Sequence, residues 1–237
     1  TPVRLAILSH QTDLRSIYMH LYQLRSNCKS TKSEGFLVDY PGFEKAYKRD
    51  LELPQKGSPL ILTYEDDLQS IENARCYYSL LISKINSLLD KVDDFDVLII
   101  HVGKQAFHLR QADTFDLHDA LKLFCANHHI KVQIVEDKSI VDNQKLKVTW
   151  GLSTGIFAKA NGELWRPRYF DNETAFIGIS YSMLSDGGYY VGCSQLFDSC
   201  GNGMRLIISQ LKDPKVIREN PYMSKEDAQY VIGNLLR

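Results

Sequence analysis

The sequence predicts an α/β fold built on a parallel sheet, followed by an antiparallel segment, and three observations carry that prediction. Short apolar runs alternate with segments of helical periodicity through roughly the first two thirds of the 237 residues. The run Asp96-Val-Leu-Ile-Ile-His is apolar at consecutive positions, as strands covered on both faces are. In the last third, three strand-like runs follow one another with Gly beside Asp or Asn between them, which is hairpin chemistry.

Each element follows from its local pattern. Val3-Arg-Leu-Ala-Ile-Leu makes a short buried strand, and apolar residues at helical spacing over 12–24 make the next helix. Residues 27–57 scatter Ser, Lys, Gly and Pro, including Tyr40-Pro41-Gly42, and read as a long connection. Pro59-Leu-Ile-Leu-Thr is a second strand. Over 66–91, Leu68, Ile71, Tyr78, Leu81, Ile85 and Leu88 recur with a helical period, after an acidic start that suits the positive end of a helix dipole. A third strand covers 96–101, a helix 116–127 and a fourth strand 132–135. The helix predicted over 143–160 stops at Asn161-Gly162, a pair suited to the left-handed turn that ends helices. Strands then cover 175–182, 189–197 and 204–209, with turns at Asp186-Gly187-Gly188 and Gly201-Asn202-Gly203. Ser224 opens a last helix, with Asp227 three residues on to complete a capping box. The change of pattern near 165–172 divides the chain into residues 1–164 and 165–237.

Composition excludes more than it assigns. The 28 basic and 29 acidic side chains balance, so bulk charge marks no partner. Cys28, Cys76, Cys125, Cys193 and Cys200 form no CxxC pair, which suits a reducing compartment and offers no zinc spacing. No apolar run approaches the ~20 residues of a membrane span, so the expected location is the cytoplasm, away from any membrane. Ser9-His10-Gln11-Thr12 stands where a dinucleotide fold would carry GxGxxG. Gly151-Leu-Ser-Thr-Gly has nucleophile-elbow spacing but falls inside a predicted helix. A Rossmann-like domain for some other small molecule stays open on pattern alone.

Four side chains stand out at the ends of elements. His118 and Lys122 lie one helical turn apart and leave the same helix face. Gln133 opens the next strand, and Lys159 closes the helix after it. Such a set suits a terminal phosphate, where each charge-assisted hydrogen bond contributes ~1.5 to 3 kcal/mol net. Singly, each has a bland reading: a solvated helix face, a structural strand residue, a cation complementing a helix dipole.

Residues 115–182 resemble the junction of the MID and PIWI domains in prokaryotic Argonaute proteins, especially the short form without N-terminal and PAZ domains. Trp150-Gly-Leu-Ser-Thr-Gly-Ile-Phe-Ala-Lys-Ala and Thr174-Ala-Phe-Ile-Gly-Ile-Ser-Tyr-Ser are similar to the family's helix leading into the first PIWI strand. The resemblance implies a Rossmann-like MID domain over 1–164 and the opening of an RNase H-like PIWI domain over 165–237. Such a PIWI fold takes more elements than the residues after Thr174 supply, so the chain reads as an excerpt of a longer protein. The family grips the 5′-phosphate of a guide strand with residues matching His118, Lys122, Gln133 and Lys159. An RNA guide and a complementary DNA target are the expected partners, and Mg²⁺ at the guide phosphate is the expected cofactor.

Slicing members of that family carry Ile-Gly-Ile-Asp at the end of the first PIWI strand, whereas here Ile177-Gly178-Ile179-Ser180 stands. A hydroxyl lacks the fixed negative charge that a hard divalent cation wants, so no catalytic residue is assigned and no cleavage is expected. Asp198 reads as a turn residue rather than a replacement acid. By resemblance, activity belongs to an associated APAZ-linked effector of TIR, sirtuin-like or nuclease type. The rival expectation is an active nuclease with displaced catalytic acids.

Overall fold

The computed structural model describes residues 1–30, 38–112, 115–137, 145–164, 173–183, 189–212, 214–217 and 220–237. They belong to two units, Thr1–Leu164 and Trp165–Arg237. In the first unit, Val3–His10 (β1) is the strand around which the sheet is laid. After it come the helix Leu14–Gln23 (α1), the short helix Phe43–Tyr47 (α2) and the two-residue strand Leu51–Glu52 (β2). Ile61–Tyr64 (β3), the helix Ala74–Ile85 (α3) and Val97–Val102 (β4) follow. A two-stranded ribbon, Gln111–Ala112 (β5) with Phe115–Asp116 (β6), leads into the helix Leu117–Asn127 (α4). Val132–Glu136 (β7) and the helix Lys145–Lys159 (α5) complete the described elements of the unit.

All pairings in the main sheet are parallel, in the order β2-β1-β4-β7. β3 shares the β2 edge: β2 pairs with the start of β1 and β3 with its end. This is the parallel α/β sheet that the sequence predicts, with helices on both faces. Side-chain alternation along β1 and β4 sorts the core into two layers. Ala6, Leu8, Leu98 and Ile100 pack with α3 and α4 through Leu81, Leu117 and Leu121. Leu5, Ile7, Val97 and Ile99 pack with α1, α2 and α5 through Ile17, Phe43 and Ile156. Every β4 position is buried, as its unbroken apolar run requires.

Two expectations are corrected. Residues 27–57 are not a plain connection. Tyr40, Phe43 and Tyr47 are buried there, α2 is a single helical turn too short to show a period, and β2 adds to the sheet. The helix expected from residue 66 begins at Ala74. Asn73 is its cap, accepting from the backbone N–H groups of Arg75 and Cys76, whereas Asp67 accepts from Gln69 N in a local turn. Asn86–Lys91 continues α3 as a tighter 3₁₀ helix. At the far end of the unit, Asn161 adopts φ 57° and Gly162 N donates to Phe157 O, so α5 stops where its sequence says. Arg49 fastens this end, donating to the carbonyls of Thr1, Pro2 and Ala160 at 2.9, 3.2 and 3.0 Å.

In the second unit, Phe176–Met183 (β8), Tyr189–Phe197 (β9) and Gly203–Gln210 (β10) form an antiparallel sheet in the order β10-β9-β8. The predicted turn at Asp186–Gly188 lies outside the described residues. Lys215–Ile217 (β11) pairs with Asn220–Tyr222 (β12), and Lys225–Leu235 (α6) follows. Ser224 caps α6: its Oγ accepts from Asp227 N at 3.1 Å, half of the predicted box, while its hydroxyl rather than its backbone N–H donates to Asp227 Oδ2 at 3.0 Å. Leu196, Leu211, Val231 and Leu235 make a small core between α6 and one sheet face.

Candidate nucleic-acid interface

The parallel register and two helix ends place the four predicted residues. Alternation turns Gln133 to the side of β7 on which Val135 packs with Leu152 and Ile156 of α5. Lys159, the last residue of α5, donates from Nζ to Gln133 Oε1 at 2.8 Å. Gln133 Nε2 donates to Ile134 O at 2.9 Å, so the carbonyl end of the amide is the end offered to the lysine. Gly155 makes this approach possible, because a Cβ there would stand 3.2 Å from Gln133 Oε1.

Lys122 leaves the exposed side of α4, and its charge reaches this pair. The Lys159 ammonium is held below the usual lysine range, first by partial burial and then by the positive charge of Lys122. No carboxylate among the described residues pairs with either lysine. Two like charges without a carboxylate partner among the described residues are a local cost that a bound anion would offset.

His118 is placed by its helix alone. Asp116 caps α4 by accepting from Asp119 N at 3.0 Å, and His118 follows in the exposed first turn, one turn before Lys122. Its Nδ1 lies 3.4 Å from Asp119 Oδ1, and among the described residues no hydrogen bond joins it to Lys122, Gln133 or Lys159. His118 borders a small cavity of about 20 Å³ beside Arg110 and Glu136, which pair at 2.6 Å. Arg110 closes the 3₁₀ helix Lys104–Leu109, which is too short to show a period, so the sequence does not single it out.

The donor set at Lys122, Gln133 and Lys159 does not fit a resident Mg²⁺. It presents two ammonium groups and one amide oxygen already engaged, whereas this cation takes carboxylate, phosphate and water oxygens. Asp116, His118 and Asp119 bring ligand atoms within 4.8 Å of one another, but the Asp116–Asp119 contact is accounted for as a helix cap.

Sequence reasoning missed a second polar cluster, at the carboxyl end of the sheet. The His101 side chain is fully buried, with Nε2 3.0 Å from Asp137 Oδ1 and Nδ1 3.3 Å from Ser9 Oγ. Asp137 Oδ2 also accepts from Lys104 N at 2.6 Å. The order Ser, His, Asp suggests nucleophilic catalysis, but Ser9 is fully buried and its Oγ donates to His10 O. The cluster instead fastens the ends of β1, β4 and β7 to one another.

Three further sequence features are placed. Ser153 of the elbow-like run is buried within α5, bonded to Trp150 O and the Tyr47 hydroxyl, so no nucleophile elbow exists there. Ser180 occupies an exposed position in β8, paired with Gly192 of β9. Asp198 accepts from Cys200 N, Asn202 N and Asn202 Nδ2, which makes it the turn residue before β10. Among the described residues, no helix is long and apolar enough to cross a membrane.

No family model and no curated relative matches the sequence. Among solved structures, Aa-Ago with externally bound siRNA shares 15% identity at a TM-score of 0.49, over 99% of this chain and 28% of that one. Drosophila Piwi shares 12% at 0.47, over 87% and 24%. The Argonaute protein of Methanocaldococcus jannaschii shares 11% at 0.45, over 98% and 29%. This chain therefore spans between 24% and 29% of the length of these three proteins.

Proposed function

We propose that this chain anchors the 5′-phosphate of a small guide strand in a short, non-cleaving Argonaute-type protein of the cytoplasm. The observation that carries the reading is the Lys159–Gln133 bond with Lys122 close enough to depress the Lys159 pKa. A phosphate between the ammonium groups replaces their repulsion with charge-assisted hydrogen bonds. Gln133 is the positioning residue, since its carbonyl holds Lys159 in place before the anion arrives. The His118 ring, one turn before Lys122, supplies a flat face for the first base, a contact that tolerates any sequence. A Mg²⁺ ion at this position would rest on phosphate oxygens rather than on protein carboxylates.

In this reading the guide is RNA, the paired target is DNA, and pairing reads the sequence while the protein reads the backbone. Ser180 in place of an acid leaves strand cleavage without a metal ligand at that position. The consequence of pairing then passes to an APAZ-linked effector of TIR, sirtuin-like or nuclease type.

The test compares 5′-phosphorylated and 5′-hydroxyl RNA and DNA oligonucleotides on the full-length protein. The 5′-phosphate should tighten binding by about ten- to a hundredfold, the worth of one charge-assisted hydrogen bond. Lys122→Ala and Lys159→Ala should each erase most of that gain, and affinity should fall as salt rises. Equal binding of the two ends sinks the phosphate assignment. Metal-dependent cleavage of a paired target sinks the non-cleaving part.

A further inference from the structure

The edge of the main sheet is broken, and a groove lies at the break. β2 ends at Glu52 and β3 starts at Ile61, and between them Ser58 N donates to Gln55 O across a turn with Gly57 at φ 85°. That left-handed residue makes this a turn of type II, which projects Lys56 from a fixed position. Facing it across a void of about 580 Å³ is α1. Leu14, Tyr18, Met19 and Ile61 make the walls largely apolar, and Met19 is 48% exposed.

The charges in this groove are of one sign. Arg15 and Lys56 line it, no carboxylate does, and neither cation has an ion-pair partner among the described residues. Arg15 stands in the first turn of α1, which has no acid, so it adds to the positive end of the helix dipole instead of opposing it. The nearest acid along the chain, Asp13, accepts from Thr12 Oγ1 and is directed toward Gly103 of the neighbouring strand end. The Gln11 side chain, also at the groove, has no hydrogen-bond partner among the described residues and offers both a donor and an acceptor.

We infer that this groove binds a nucleoside phosphate, with the base against Tyr18 and Met19, its edge read by Gln11, and the phosphate between Arg15 and Lys56. The volume lies in the range of small-ligand pockets, and apolar walls with few convergent polar groups are the usual makeup of such sites. The pocket shares no residue with Lys122, Gln133 and Lys159, so it stands or falls apart from the guide anchor.

Met19 stands in the groove wall, and when the full-length protein is labelled with methyl-¹³C methionine its signal is assigned as the one lost in Met19→Leu. Titration with AMP should move the Met19 signal saturably, both in the parent protein and in a Lys122→Ala/Lys159→Ala variant. Adenosine should need at least about tenfold more ligand for the same shift, and Arg15→Gln and Lys56→Gln should each weaken AMP by about tenfold. A 5′-hydroxyl pentaadenylate arm separates the sources: tighter binding than AMP assigns the groove to a strand, and equal or weaker binding assigns it to free nucleotide. A Met19 signal unmoved by both AMP and pentaadenylate overturns the inference, as does an equal response to adenosine and AMP. Loss of the response in the Lys122→Ala/Lys159→Ala variant, with circular dichroism unchanged, overturns it too, since the shift then reports the anchor.

Discussion

Lys159 Nζ lies 2.8 Å from Gln133 Oε1, so the last turn of α5 is tied to the edge strand β7 by a cation resting on a neutral amide. A neutral partner holds the lysine without cancelling its charge. An anion that binds there must find Lys159 protonated. Because the free-state pKa is lowered by burial and by Lys122, affinity for a 5′-phosphate should begin to fall below the pH at which an ordinary lysine titrates. Titrations across the alkaline range should show this fall in the parent protein, and Lys159→Met should remove both it and the phosphate preference. An unchanged alkaline profile in Lys159→Met would disprove the role.

Gly155 should be sensitive to size. A Cβ at this position already approaches Gln133 Oε1 to 3.2 Å, and the methyl groups of valine would push further into the amide. Gly155→Val should weaken 5′-phosphate binding by about tenfold or more while 5′-hydroxyl strands bind as before. Paired affinity measurements check it, with equal loss for both ends as the contrary result.

Asp96 gives the unit an acid-sensitive contact. Its burial opposes ionisation, but the Arg4 backbone N–H at 2.8 Å, the Arg4 guanidinium and the charge of Arg49 together hold its pKa below the usual value. A depressed carboxylate stabilises the fold fully above its unfolded-state pKa, and the contribution is lost as pH falls through the folded value. Asp96→Asn should therefore lower stability by about 1 kcal/mol near pH 7 and flatten the decline below about pH 4. Urea midpoints measured between neutral and acid pH would show whether the two curves converge.

Asn73 should matter more than the acids that precede it. Its side chain accepts from Arg75 N and Cys76 N at 2.9 and 3.1 Å, and loss of such a cap costs about 1 kcal/mol. Asp66→Ala should stay within about 0.5 kcal/mol of the parent, as surface changes away from such features do. If denaturant unfolding ranks the two variants the other way, the helix starts earlier than Ala74.

What the sequence makes legible here is what is local. The buried run of β4, the stop at Asn161 and Gly162 and the Ser224–Asp227 cap each depend on neighbours within a few residues, and each is observed. The broken edge of β2 and β3 was not legible, because two residues carry no period and β2 exists only by pairing with β1. Ser9, His101 and Asp137 meet only through the parallel register, so no spacing announces them. At the candidate anchor, residue types and helix ends could be read in advance, but the turn of the Gln133 amide toward Lys159 depends on the packing of α5 over β7.

Arg49 joins parts of the first unit that lie far apart in sequence. By gripping the carbonyls of Thr1 and Pro2 together with that of Ala160, it clasps the start of β1 to the end of α5. Loss of that one side chain should therefore loosen both places at once.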